Sequence, residues 1–248
     1  MRMTVVGCSG SLPGPNSAAS CYLVRTERTT LVLDLGNGAL GPLQRHIRLD
    51  EIDGVLLSHL HPDHCLDMCG LYVAVRYGPW PDRPRIPVWG PEGTAARLAQ
   101  AYGLPEDPGM TGEFDVREYP GEPFDLGDVR VSVAPVAHPV PAYAVRLDQD
   151  GRSLVYSGDT GPSRALVDLA GGADLLICEA GFPDDESNPA DLHLSGRDAG
   201  EHAAAAGVRR LLLTHVPPWG VPNEALAAAR SAFGGPVTLA RPGADLDV

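Results

Sequence analysis

Three histidines and one aspartate lie within six consecutive residues of this 248-residue sequence, at His59, His61, Asp63 and His64. They directly follow the apolar run 55–58, which predicts a strand that ends in a loop. Side chains two residues apart on an extended segment share a face, so we expect His59 and His61 to point the same way. Neutral imidazoles and a carboxylate are suitable ligands for zinc and similar divalent ions. The cluster therefore predicts a metal site, with a solvated polar loop as the alternative.

Three further candidate ligands also follow apolar, strand-like runs directly. They are His138, Asp159 and His215. A single histidine at a strand end is usually a structural residue. Loops at one rim of a layered fold nevertheless converge on a common cleft, where functional side chains collect. Together with the cluster, these residues predict a metal cleft with seven candidate ligands.

The elements that must position these residues are short strands interspersed with helices. Apolar or β-branched runs predict strands at residues 4–7, 22–24, 30–34, 55–58, 86–89, 129–134, 143–147, 153–157, 174–178 and 210–214. Helices are expected after Asp63, Pro91, Pro162, Ser195 and Pro222. Pro91 and Pro222 suit a first helical turn, and Ser195 with Asp198 predicts a capping box that opens a helix over 198–206.

The order of these elements predicts an α/β (α+β) protein. The first third of the chain is richer in consecutive strands than a simple alternating βαβ fold would be. We therefore expect two mixed β-sheets packed face to face with helices outside. The sequence shows no linker, repeat or low-complexity block, so one domain over residues 1–248 is the simplest interpretation.

The charge balance is acidic, with a formal net charge of −13, and arginine supplies every basic side chain. An acidic surface argues against a broad nucleic-acid footprint, although bound divalent ions can attract a small anionic substrate. The five cysteines are an odd number in a chain too large to need disulfides, which favours a reducing cytoplasm. We expect no signal peptide, because Met1-Arg2-Met3 leads directly into a short strand-like run. We also expect no membrane span, because no apolar stretch approaches about 18 residues.

The ordered motifs resemble those of the metallo-β-lactamase superfamily from about residue 5 to the end of the chain. The matching segments are residues 58–64, His138, residues 157–160 and residues 214–215. This resemblance implies a four-layer αβ/βα sandwich. It also implies that one metal ion is bound by His59, His61 and His138, the second by Asp63, His64 and His215, and both by the bridging Asp159.

Three segments are similar to the ribonuclease Z and phosphodiesterase branch of that superfamily. They cover residues 134–143, 177–180 and 193–200. The similarity implies that His193 acts on the substrate beside the metals; the alternative is a histidine that only flanks a helix.

The sequence also departs from ribonuclease Z. Leu194 follows the histidine where Ser-Thr is usual, and Pro62 stands where glycine is common. Only twenty residues separate His138 from Asp159, too few for the long arm that ribonuclease Z uses to grip transfer RNA. These features argue against transfer RNA as the substrate and favour a small phosphodiester such as a cyclic nucleotide. The sequence is compatible with a homodimer.

The expected chemistry is hydrolysis by two divalent ions that share a hydroxide, with zinc as the default metal and manganese as the alternative. Asp63 can orient or deprotonate the nucleophile, and His193 can protonate the leaving group. A lactonase, thioesterase or β-lactamase could use the same ligands, and so could a non-catalytic metal-binding protein.

Other conspicuous residues have ordinary explanations. The glycine-rich segment 7–14 lacks the Gly-Lys-Ser/Thr of a phosphate-binding loop and predicts a tight turn beside the cleft. Cys65 and Cys69 are expected to be core contacts. Trp219, near His215, is compatible both with lining a pocket and with burial.

Overall fold

The computed structural model describes residues 1–248, and its two β-sheets face each other with helices on their outer sides. The strands are β1 Arg2–Ser9, β2 Ala18–Ala19, β3 Cys21–Arg25, β4 Thr30–Leu33, β5 Gly54–Leu56, β6 Ile86–Gly90, β7 Phe114–Glu118, β8 Phe124–Leu126, β9 Val129–Pro135, β10 Tyr143–Gln149, β11 Arg152–Tyr156, β12 Leu175–Glu179, β13 Leu211–Thr214, β14 Val237–Leu239 and β15 Asp245–Asp247. The helices are α1 Leu40–Leu43, α2 Pro62–Cys65, α3 Met68–Tyr77, α4 Thr94–Tyr102, α5 Arg164–Leu169, α6 Gly196–Ala206 and α7 Pro222–Ala232, and a 3-10 turn covers Leu49–Glu51.

Both sheets are mixed, as expected from the sequence. The first has the order β15-β1-β3-β4-β5-β6-β7, with β2 paired to β1, and the second has the order β14-β13-β12-β11-β10-β9-β8. Strands β4 to β7 are parallel in the first sheet, and β11 to β14 are parallel in the second. The carboxyl ends of parallel strands meet at one edge of a sheet, and these edges carry the loops that hold the candidate site.

Three hydrophobic cores separate the four layers. The central core joins the facing sides of the two sheets, for example Tyr22 of β3 and Tyr156 of β11, whose ring centroids are 5.0 Å apart. A second core lies between the first sheet and α1 to α4, and a third lies between the second sheet and α5 to α7. Successive residues of a strand serve different cores: Tyr22 lies in the central core, whereas Leu23 lies in the outer one. This period of two confirms the predicted layered α/β sandwich.

All ten predicted strands are present, but five others were missed. The missed strands are β2, β7, β8, β14 and β15. They are short or lie at sheet edges, and β15 (Asp-Leu-Asp) has largely exposed side chains. A strand at the edge of a sheet buries fewer apolar side chains, so its sequence shows only a weak apolar periodicity.

The helix starts agree with the sequence except after Pro91. Helix α7 has Pro222 in its first turn, and α6 has the predicted capping box between Ser195 and Asp198 but begins at Gly196. A helix does follow Pro91, but the expectation that Pro91 lies in its first turn was wrong, because α4 begins only at Thr94 and the carbonyl of Pro91 accepts a hydrogen bond from the Thr94 hydroxyl. No helix is both long and apolar enough to cross a membrane.

Candidate metal centre

The loop after β5 and the short helix α2 carry four of the candidate ligands, His59 and His61 in the loop and Asp63 and His64 in the helix. His61 is extended at the N-cap of α2, and Pro62 occupies the first turn, where a missing N–H costs no hydrogen bond. The helix then brings Asp63 and His64 inward, so that both are buried, as is His59. An extended segment followed at once by a helix thus points four polar side chains to one cleft.

The first group of potential ligands consists of His59, His61 and His138. The Nε2 of His59 lies 3.0 Å from the Nδ1 of His61, and the Nε2 of His138 lies 3.3 Å from the same Nδ1. His138 comes from the loop after β9, where its Nδ1 donates to the carbonyl of Leu192 at 3.0 Å. That bond leaves the His138 Nε2 with its lone pair directed at the other two rings.

The second group consists of Asp63, His64, Asp159 and His215, all of them buried. The Nε2 atoms of His64 and His215 are 3.3 Å apart, and the Nε2 of His215 lies 3.2 Å from Asp63 Oδ2. His215 directly follows β13 with a positive φ of 57°, an uncommon conformation for a residue with a side chain. The backbone of Gly10 packs directly against that of His215, since a Cβ on Gly10 would lie only 2.2 Å from the His215 carbonyl oxygen.

Asp159 lies between the two groups and faces both. Its Oδ2 is 3.7 Å from the Nε2 of His59, whereas its Oδ1 is 3.2 Å from that of His64 and 3.3 Å from that of His215. The Oδ1 is buried and accepts no hydrogen bond of suitable geometry. A buried carboxylate oxygen without a partner is costly, so this atom is the clearest sign that a further positive group belongs here.

The electrostatics of the two groups also suit cations. Burial lowers the pKa of His59, His61 and His138, so these imidazoles are neutral and keep a lone pair. Burial opposes a charge on His64, but the carboxylates of Asp159 and Asp34 raise its pKa well above the ordinary value. The second group therefore attracts positive charge into a buried space, and a divalent ion competes with protons for such a position.

The donor set fits two divalent metal ions. Tetrahedral zinc with metal–nitrogen distances of about 2.0–2.1 Å places its ligand nitrogens about 3.3 Å apart, close to the spacings of 3.0 to 3.3 Å within the groups. Neutral imidazoles that face one another with their lone pairs repel unless a proton or a metal ion lies between them. The structure thus brings all seven predicted ligands together in two adjacent groups.

Asp34, which the sequence analysis did not assign to the site, fixes the orientation of His64. It follows β4 and is completely buried, and its Oδ2 accepts hydrogen bonds from His64 Nδ1 at 2.7 Å and from the Tyr156 hydroxyl at 2.8 Å. Ser58 donates to it through both backbone N–H and hydroxyl. Such a carboxylate behind a histidine sets its tautomer and increases its basicity as a ligand.

His193 lies next to both groups but is bound to a different carboxylate. Its Nδ1 is 3.1 Å from each oxygen of Glu179, and its ring centroid is 5.4 Å from that of His215 and 5.8 Å from that of His138. Burial lowers its affinity for a proton, but the hydrogen bond and charge of Glu179 raise its pKa to about 9. The His193 side chain keeps 13% of its surface exposed, so it is accessible from the cleft.

Glu179 is a second residue whose role the sequence analysis missed. It ends β12 and is completely buried, and it also accepts hydrogen bonds from the backbone N–H groups of Thr160 and Gly181. It therefore connects the loop that carries Asp159 with the loop that carries His193. Glu179, His193 and His215 also lie close enough to share an ion, which makes His193 itself a potential ligand.

The remaining conspicuous residues are largely as the sequence suggested, with one addition. The turn predicted for residues 7–14 is shorter than expected, because β1 continues through Ser9 and the chain turns beside the cleft only after it. The Ser11 N–H in this turn points at the Nε2 of His215 at 3.3 Å. Cys65 is buried in the outer core and Cys69 packs against it. All five cysteines are free. Trp219 is 68% exposed and lines a cavity, which excludes burial as its explanation.

Comparison with known proteins identifies the family. Residues 29–216 match the model of the β-lactamase superfamily domain. This chain belongs to the metallo-β-lactamase superfamily. An uncharacterized protein of Mycobacterium leprae is 48% identical over 100% of this chain and 89% of its own. Ribonuclease Z of Mycobacterium avium is 32% identical over 96% of this chain and 95% of its own.

A solved structure agrees with the assignment. The crystal structure of the metallo-β-lactamase fold protein YhfI from Bacillus subtilis has a TM-score of 0.89 and 29% identity. The match covers 99% of this chain and 98% of that one. The superfamily membership and the ligand clusters together characterise the chain as a hydrolase of the metallo-β-lactamase type with a potential divalent-metal centre.

Proposed function

We propose that this chain is a phosphodiesterase that uses two divalent metal ions to hydrolyse a small phosphodiester or nucleotide. In this proposal one ion is bound by His59, His61 and His138, the other by Asp63, His64 and His215, and both by Asp159. Zinc is the first choice for a histidine-rich site, and manganese is the alternative because two carboxylates contribute. When bound, such ions activate water and neutralise the charge that develops on the reacting group.

The observation that carries the proposal is the position of His193. Its Nδ1 is held by both oxygens of Glu179 at 3.1 Å, which leaves the Nε2 on the opposite side of the ring free for a substrate. Hydrolysis of a phosphodiester expels an alkoxide, a poor leaving group that benefits from a proton donor. A histidinium stabilised by Glu179 can donate that proton or stabilise negative charge on the phosphoryl oxygens.

Asp63 has a second role in the same proposal. Its Oδ2 lies near His64 and His215, at 3.3 and 3.2 Å, and its carboxylate is part of the cleft from which water would attack. We infer that it orients the nucleophile or accepts its proton. The relative named ribonuclease Z, a nuclease by its name, supports phosphodiester chemistry over cleavage of a carbon-centred ester.

A substrate panel on metal-reconstituted protein tests the proposal. It compares bis(p-nitrophenyl) phosphate with p-nitrophenyl phosphate, a lactone, a thioester and a β-lactam, and uses chelator-treated protein as the control. We expect the phosphodiester to be hydrolysed fastest, and only with metal. Faster turnover of the lactone or thioester would replace the proposal with a carbon-centred hydrolase. Bound metal without turnover of any substrate would indicate a non-catalytic protein.

A further inference from the structure

A cavity of about 300 Å³ lies directly beside the candidate centre. The loop after β12, the loop after β13 and the starts of α6 and α7 enclose it. Phe182 forms the boundary between cavity and centre, because it lines the cavity and its ring also meets that of His193 edge-on at 5.0 Å. Val216, which directly follows His215, lines the cavity too. A substrate that contacts His193 therefore has this cavity next to it.

One wall of the cavity is the exposed indole of Trp219. Its loop begins with a β-turn in which the N–H of Gly220 donates to the carbonyl of Pro217 at 2.8 Å, with Pro218 between them. Proline at the second position of a turn restricts the backbone, so the turn holds Trp219 outward, with 68% of its surface exposed. A large aromatic side chain held in solvent beside a concave site suggests a binding surface more than a packing role.

Small residues line part of the cavity. They are Gly196, Ala225 and Ala228, which lie where α6 and α7 approach each other. A Cβ on Gly196 would lie 2.2 Å from the carbonyl oxygen of Ala225, so the helices contact each other there without intervening side chains. A cavity lined by an indole and by residues with little or no side chain has room for a planar ring, and a volume of 300 Å³ is at the lower end of small-molecule pockets.

The charges at the rim indicate which kind of ring. The only charged residues that line the cavity are Asp184 and Glu224. Asp184 is paired with Arg197 at 2.8 Å, whereas Glu224 is exposed in the first turn of α7. Without a lining arginine the cavity is unsuited to a phosphate, but a carboxylate at its rim can accept hydrogen bonds from ring N–H groups.

We propose that this cavity is the subsite for the nucleobase of a nucleotide substrate, which rests on the proposed phosphodiesterase function. The base lies against Trp219, its N–H groups donate to Glu224, and the phosphodiester extends past Phe182 to His193. The substrate class is thereby narrowed from small phosphodiesters in general to those that carry a nucleoside. The cavity then contributes to binding, while the reaction stays with the residues of the centre.

Two p-nitrophenyl phosphodiesters with the same leaving group test the subsite. One is the p-nitrophenyl ester of a nucleoside 5′-monophosphate, and the other is methyl p-nitrophenyl phosphate, which has no base. For Trp219→Ala we expect kcat/KM to fall about 5- to 100-fold with the nucleoside ester, the range for loss of one base–aromatic stack, and to stay unchanged with the methyl ester. Glu224→Gln should alter the preference among bases. An equal effect of Trp219→Ala on both esters, or no effect on either, would overturn the proposal.

Tyr77→Ala is the matched control, because Tyr77 is 71% exposed but lies at the end of α3. We expect Tyr77→Ala to leave kcat/KM unchanged with both esters. A binding measurement without phosphate separates this proposal from the phosphodiesterase proposal. Free nucleosides should quench the tryptophan fluorescence of the full chain and of Tyr77→Ala but not of Trp219→Ala. Quenching without hydrolysis of any phosphodiester would refute only the function, whereas hydrolysis without quenching or base selectivity would refute only the subsite.

Discussion

His193 is the residue at which binding of metal and chemistry on the substrate can be told apart. Each proposed ion already has three ligands of its own and shares Asp159, so a further histidine is available for the substrate. Its backbone is well held, because Ser195, two residues later, caps α6 and accepts a hydrogen bond from the N–H of Asp198. The hydrogen bonds to Glu179 fix the ring itself.

For His193→Ala we expect turnover to fall by about 10²- to 10⁴-fold, as for loss of a general acid. Both kcat and kcat/KM should fall, because the interaction acts in the transition state. Metal content should stay near that of the unmodified chain, and the variant should still fold, although with lower stability because the buried Glu179 loses its partner. The loss should be smaller with a p-nitrophenyl leaving group, which needs little protonation, than with an alkyl one.

The control is His46→Ala, since His46 lies outside every group of potential ligands. We expect it to change neither turnover nor metal content. Elemental analysis provides the decisive comparison. If His193→Ala loses metal, His193 is a ligand within the group that it forms with Glu179 and His215. If it keeps full activity on all substrates, it only flanks the helix.

Asp159→Ala tests whether one carboxylate serves both ions. The two oxygens of Asp159 face different groups, so we expect its removal to reduce the occupancy of both sites. His138→Ala is the comparison, because His138 belongs to one group only and should mainly release one ion. Metal equivalents per chain after dialysis distinguish the two variants. Loss of a single ion from Asp159→Ala would contradict bridging.

At the scale of elements, the sequence revealed the ligands but not the residues behind them. The ligands could be predicted because four of them cluster within six residues and the other three lie in ordered motifs that resemble those of the superfamily. Asp34 and Glu179 could not, because their hydrogen-bond partners His64 and His193 are 30 and 14 residues away. Contacts of that kind depend on how strands are ordered in the sheets, and no local periodicity encodes them.

Edge strands were missed for a related reason. The strand β15 is held to β1 by backbone pairing and by a hydrogen bond from the Thr4 hydroxyl to Asp245 at 2.5 Å, rather than by burial of apolar side chains. Its sequence therefore resembles a polar loop. The buried strands, in contrast, have apolar residues on both faces because each contributes to two cores.

The contact between α6 and α7 depends on glycine in a way that substitution can measure. A Cβ on Gly200 would lie 2.6 Å from the Ala229 carbonyl oxygen and 2.9 Å from the Ala232 Cβ. We expect Gly200→Ala to destabilise the fold by about 1–3 kcal/mol, as for an overpacked core. In α1, Gly41 has no atom within 4 Å of a new Cβ.

Gly41→Ala is therefore the control, and we expect it to stabilise the protein by about 0.5–1 kcal/mol through helix propensity and the lower entropy of the unfolded chain. Urea denaturation of both variants measures the difference as shifts of the midpoint in opposite directions. Equal shifts would show that the helices can move apart to accept the methyl group.

At the scale of the whole molecule, charge and topology act together on substrate choice. The net charge of −13 repels a long polyanion, whereas a small anion needs only the local field of the metal centre. The segment between His138 and Asp159 forms the hairpin of β10 and β11, whose turn consists of Asp150 and Gly151 with φ values of 49° and 74°. A two-residue turn with positive φ at both positions is the compact form of hairpin.

We therefore expect this chain neither to bind nor to cleave precursor transfer RNA at about 150 mM salt. No basic arm extends from the hairpin, so we expect few of the phosphate contacts that dominate affinity for nucleic acid. Ribonuclease Z of Mycobacterium avium is the positive control, assayed with the same metal and RNA, while bis(p-nitrophenyl) phosphate reports that the chain under test is active. Lowering the salt should not reveal tight binding, because the electrostatic interaction is repulsive and not merely screened. Cleavage of the precursor at a rate near that of the control would contradict the prediction, and it would show that recognition of RNA depends on neither the arm nor the net charge.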